Sequence, residues 1–196
     1  MFPIHARFPK EMAVIGRLLV DYGELELDLM NCVQVLRNYD LNSTLKSMFR
    51  VRGETNRIDI ADALGRVPYT AVKMTTEFDT VIAAMRQCLR IRNRYAHAFW
   101  HDPDQGKALC YVSLEELAKE ADEVRDLTAL TFYYIDEPLL LKQEAFFEYT
   151  RALINYVNHE GQFQTGKFKQ RIFPLPTPVP PPPAYTRNAT SRQTET

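Results

Sequence analysis

The chain has 196 residues, 45% hydrophobic and 25% charged, with a formal net charge of −1, a length that supports one ordinary domain with a core of its own. No window approaches the ~18 consecutive apolar residues of a membrane span. The opening MFPIHARFPKE lacks the basic, apolar and small-residue zones of an export signal, so a cytoplasmic protein with no membrane partner is expected.

From Glu11 the residues Ile15, Leu18, Leu19, Tyr22, Leu25, Leu29, Val33 and Leu36 recur at helical spacing and predict a long amphipathic helix to about Asn38. The run from Asn38 to Asn42 breaks it. A short helix follows around Leu45 to Phe49, and another over Glu54 to Leu64 with Ile58, Ala61 and Leu64 inward. Gly65 is expected to end that helix, and Pro68 to keep the following residues out of regular helix. Thr75 or Thr76 can cap the next helix. Its stripe is Phe78, Val81, Ile82, Met85, Leu89, Arg92, Ala96 and Phe99, and Pro103 and Gly106 close it. Ala108 to Val112 alternates loosely, as a short strand or an irregular crossover. Ser113 with Glu116 forms a capping box that opens an acidic helix through Val124, Leu127 and Leu130 toward Tyr134. Asp136 and Pro138 start a last helix, which runs to about His159 and stops at Gly161.

Residues 161–173 form a transition segment. Seven of the ten residues from Pro174 to Pro183 are proline, which fixes φ and removes backbone donors, so residues 174–196 are expected to be a flexible tail. The fold expected is all-α: a bundle of four or five helices over residues 11–160. The odd set Cys32, Cys88 and Cys110, with no C-x-x-C pair, reads as buried small apolar side chains rather than a disulfide framework or a zinc site.

The near-zero net charge conceals a split. Lys46 to Arg94 holds ten basic and five acidic residues, whereas Ser113 to Tyr149 holds ten acids against Lys119, Arg125 and Lys142. A basic face could attract a polyanion, or the two halves could pair within the fold or between subunits.

Arg92 stands on the motif helix where the stripe calls for an apolar residue. Asn93 and His97 lie four residues apart, about 40° around a helix, so both can address one spot. Arg92 reaches the same spot only if its long arm swings across or the helix loosens near its end. Histidine exchanges protons near neutral pH, and arginine grips phosphate in a planar fork. His101 follows closely, and Arg90 and Arg94 read as a solvated or RNA-facing basic rim.

The stretch IRNRYAHAFW, with Arg92, four intervening residues, His97 and a polar Asn93 after the arginine, resembles the HEPN superfamily of small helical-bundle proteins. The resemblance spans roughly residues 11–160 and includes YGELELDLM in the first long helix. It implies a metal-independent endoribonuclease without cofactor, of the kind found in toxin–antitoxin or phage-defence systems. It also implies a homodimer that brings two motif copies to one cleft, with RNA as substrate and an antitoxin or other protein as a further partner. Carried onto this chain, His97 is general acid or base, Arg92 holds the scissile phosphate, and Asn93 positions His97 or a phosphate oxygen. Glu24 and Glu26 are candidates for orienting the arginine. Tyr95, with Phe99 and Trp100, reads as core or dimer contact. The competing reading is a non-catalytic interaction module in which Arg92 is a structural arginine paired with Glu24 or Glu26.

Overall fold

The long stripes become helices in the computed structural model, which describes residues 3–120 and 130–190. The elements in chain order are α1 (Ile4–Arg7), α2 (Pro9–Val35), α3 (Leu41–Phe49), α4 (Glu54–Ala71), α5 (Thr75–Ala96), β1 (Phe99–His101), β2 (Leu109–Val112), α6 (Leu114–Glu120), β3 (Thr131–Ile135), α7 (Glu137–Gln164) and β4 (Arg187–Thr190). The chain is mostly helical. It divides into two units, one of residues 20–90 and 145–181, the other of residues 1–19, 91–144 and 182–196.

The first of these units is helical. Leu25, Leu29 and Val33 of α2, Ile58 and Tyr69 of α4, Phe78, Ile82 and Met85 of α5, and Ile154 and Val157 of α7 are buried, at the spacing that the apolar periodicity requires. Asp40 caps α3 by accepting from the Ser43 amide at 2.9 Å, so the polar break after α2 is also the start signal of the next helix. The last carbonyls of α2 have no partner within the helix. Tyr69 Oη donates to the Cys32 carbonyl at 2.8 Å, and Lys167 Nζ to that of Val35 at 2.6 Å.

The expected end of α4 at Gly65 is corrected: the helix runs through Gly65 and Pro68 to Ala71. Gly65 is there for space, since a Cβ on it would lie 2.3 Å from Cζ of Phe78. Phe78 stacks on Tyr69, with ring centroids 4.5 Å apart and planes 11° apart. Pro68 costs one bond in the last turn, and the anchored Tyr69 beside it holds that turn in place. Within the stretch expected to be loose, Pro178 to Pro181 line a cavity of about 380 Å³ with Ala83, Ala84, Phe146 and Tyr149.

The other unit corrects the all-α expectation. It holds an antiparallel four-stranded sheet in the order β1-β2-β3-β4. Trp100 pairs with Tyr111, Tyr111 with Tyr133 and Tyr133 with Asn188. The motif helix stops at Ala96, so Phe99 and Trp100 lie on a strand, and Pro103 and Gly106 belong to the β1–β2 loop. Gly106, at φ +99°, takes a left-handed turn, and its amide donates to Asp102 Oδ1 at 2.8 Å. The strand expected near Ala108 to Val112 is β2. Tyr134, expected on the acidic helix, lies on β3. Aromatic and β-branched residues in TFYYI suit a pleated surface, and pairing to β2 outweighs the apparent helical spacing. The continuation of α6 through Val124 and Leu127 lies outside the described residues.

The flexible-tail expectation is corrected here as well, for its residues up to Thr190. Pro182 is buried, Gln143 Nε2 donates to the Pro183 carbonyl at 2.7 Å, Thr186 N donates to Tyr134 O at 2.8 Å, and β4 completes the sheet. Prolines donate no backbone bonds, yet their carbonyls accept and their rings pack.

Candidate functional site

The apolar stripe of α5 carries the chain to a last turn in which Ile91 and Tyr95 are buried and Arg92, Asn93 and Arg94 are half-buried. The final turn loosens: the His97 amide donates to the Asn93 carbonyl at 3.3 Å and that of Ala98 to Tyr95 at 3.5 Å. His97 therefore sits in the turn between α5 and β1, with its side chain exposed. Exposed carbonyls at a helix C-terminus carry partial negative charge. They favour cationic side chains and oppose a phosphate, so an anion at this end needs arginine to hold it.

Arg92 Nη1 donates to Asn93 Oδ1 at 3.0 Å. Asn93, expected to position His97 or a phosphate oxygen, thus holds the arginine through its amide oxygen and meets His97 through the backbone bond. Glu24 lies 2.7 Å from Arg151, and Glu26 lies 2.9 Å from Arg57. Tyr95 is 2% exposed. Its hydroxyl donates to Gln143 Oε1 at 2.6 Å, and its ring packs against Trp100 and Tyr111, so it is a core residue that anchors the segment at Pro183. Burial in this cluster pushes its pKa well above the usual tyrosine range. Of Tyr95, Phe99 and Trp100, read from the sequence as core or dimer contact, Phe99 is the exposed one, at 57%. His101 is exposed on β1 and stacks on Phe132, 5.5 Å between centroids. Arg90 is exposed on α5.

Arg94, expected on an open basic rim, is ion-paired with Glu116 of α6, and its guanidinium stands 5.8 Å from the Tyr133 ring centre. Tyr133 Oη donates to the other Glu116 oxygen at 2.7 Å. The capping box is half realised. Ser113 Oγ accepts from the Glu116 amide at 3.2 Å, while the Glu116 carboxylate turns to Arg94 and Tyr133. Glu115 sits beside Lys119, which holds its pKa below the usual carboxylate range, with smaller contributions from His97 and Arg94. Sequence reading missed Glu115, Glu116 and Tyr133 as neighbours of the motif. The excess of acid after Ser113 was the only signal of them.

Elsewhere in the basic stretch, Arg66 pairs with Asp62 and Asp79, and Arg86 with Asp59. Cys32, Cys88 and Cys110 are free and buried, as their apolar surroundings predict, and burial pushes each thiol up to about 12. Among the described residues no helix is long and apolar enough to cross a membrane. The chain matches no protein-family model, and comparison with curated proteins and with solved structures returned no match.

Proposed function

We propose that this chain is an endoribonuclease that works through Arg92 and His97, as its resemblance to HEPN proteins suggests. The observation that carries the reading is the Arg92–Asn93 bond at 3.0 Å beside the exposed His97. It steadies a phosphate-gripping guanidinium five residues before a histidine, the side-chain type suited to general acid–base work. In the reaction the ribose O2′ attacks the adjacent phosphorus and loses its proton, and the bond to the 5′-oxygen breaks. The products are a 2′,3′-cyclic phosphate and a 5′-hydroxyl. His97 accepts the O2′ proton or supplies one to the departing 5′-oxygen, and Arg92 stabilises the charge that gathers on the phosphate oxygens. Asn93 keeps Arg92 in place. RNA is the partner. A second copy would bring a second motif, and Phe99 is the exposed apolar residue at this end of the helix that could face it.

The test is cleavage of single-stranded RNA with EDTA present, alongside thermal unfolding of each variant. His97→Ala should lower the rate ~10²–10⁴-fold, as expected for lost proton transfer. Arg92→Ala should cost a comparable factor, and Arg92→Lys nearly as much, because a point charge does not reproduce the fork. Unchanged cleavage by folded His97→Ala protein would leave the non-catalytic interaction module as the better reading. Unfolding of Arg92→Ala would make Arg92 a structural residue.

A further inference from the structure

We propose that the first turn of α6 is a built-in phosphate mimic, in which Glu116, seconded by Glu115, holds the basic end of the motif helix in the resting chain so that RNA must displace it. This rests on the reading of Arg92 and His97 as an RNA site and adds the means by which that site is restrained.

The geometry has three parts. Glu116 puts one carboxylate oxygen on Arg94, two residues past Arg92, and the other on Tyr133 Oη. A carboxylate held between a guanidinium and a hydroxyl offers the anionic oxygens that a phosphodiester would offer the same two groups. The mimic is also fixed: Ser113 Oγ caps α6 at the Glu116 amide, and Tyr133 is locked into the sheet opposite Tyr111 and Asn188. Finally, the Arg94 and Glu116 side chains remain 36% and 25% exposed. Solvent and a competing anion therefore reach the pair, which is half-buried rather than a core contact. Glu115, exposed on the same turn, adds a second negative charge within electrostatic reach of His97 and Arg94.

A phosphate that takes Arg94 must first break its pair with Glu116, and that cost grows as salt falls because screening weakens. The experiment measures equilibrium binding of a labelled 2′-O-methyl oligouridine, which cannot be cleaved for want of a free 2′-hydroxyl, across a range of salt. Glu116→Gln should bind tighter than wild type. Its dependence on salt should be steeper by about 0.7 in log–log slope, the value of one single-strand phosphate contact, so a fourfold drop in salt should widen its advantage by roughly 2.6-fold. Glu115→Gln should shift binding in the same direction by less. Glu137→Gln, which removes an exposed charge from the first turn of α7, controls for net charge and should leave the slope unchanged. With Arg94→Ala in place, Glu116→Gln should give no gain beyond that control, since contacting residues are not additive. A Glu116→Gln gain no larger than that of Glu137→Gln, or one that survives Arg94→Ala, would overturn the proposal. Tighter binding without cleavage of ordinary RNA removes the nuclease reading and keeps the mimic. Cleavage by wild type with no gain in Glu116→Gln does the reverse.

Discussion

At the scale of single residues, two side chains far from the motif define what holds the helical unit. Tyr69 is buried, and its hydroxyl satisfies a carbonyl left over at the end of α2. Tyr69→Phe keeps the ring stacked on Phe78 but strands that carbonyl, so unfolding in urea should show a loss of about 1–3 kcal/mol. A loss under a few tenths would mean that the hydroxyl bond is incidental. His159 stacks on Phe168 and leans on Phe173, with centroids 5.4 and 4.8 Å away, and its buried Nδ1 finds no hydrogen-bond partner among the described residues. Burial lowers its pKa from 6.5, despite the neighbouring Glu160–Arg171 ion pair. The folded chain then binds this proton less readily than the unfolded one. The contribution of His159 to stability is therefore present above about 6.5 and is lost as pH falls below that value. His159→Phe should flatten the acid side of the stability curve, and an NMR titration of His159 at or above 6.5 would contradict its cause.

At the scale of elements, Gly65 sets two effects against each other. Alanine in a helix interior is favoured over glycine by about 1 kcal/mol. Here, however, the new methyl would press on Phe78, which is fully buried against Tyr69, and overpacking costs about 1–3 kcal/mol. Packing should win, so Gly65→Ala should lower the melting temperature; a higher one would show that Phe78 yields. The same position marks the boundary of what the sequence discloses. The stripes of α2, α5 and α7 were legible because each repeats over several turns. Gly65 and Pro68 misled because their usual meaning is local, while α4 is kept whole by Tyr69 and Phe78. The sheet was largely hidden: its strands run three to five residues, too short for alternation to outweigh nearby helical spacing. In the candidate site, Arg92, Asn93 and His97 are neighbours in sequence and could be read together. Glu116 stands 22 residues from Arg94, and no local pattern announces a contact between α5 and α6 when β1 and β2 lie between them in the chain.

At the scale of the whole molecule, the sheet-bearing unit is assembled from three separated stretches, the last beginning at Pro182. A chain cut after Pro181 should lose the Tyr95–Gln143–Pro183 connection and β4 together. Hydrogen exchange should then accelerate at the β3 amides of Thr131 to Ile135, while exchange in α4 stays slow. Exchange at β3 equal to that of the full chain would restore the loose-tail view. The placement of β4 also has a consequence for synthesis. A ribosome delivers β1, β2 and β3 long before β4, so β3 passes the whole translation of α7 and the proline-rich segment with one edge bare. Open edges recruit strands from other chains. The nascent protein is therefore open to mispairing until β4 has been made, and a product released early, inside the prolines, would keep that edge for good.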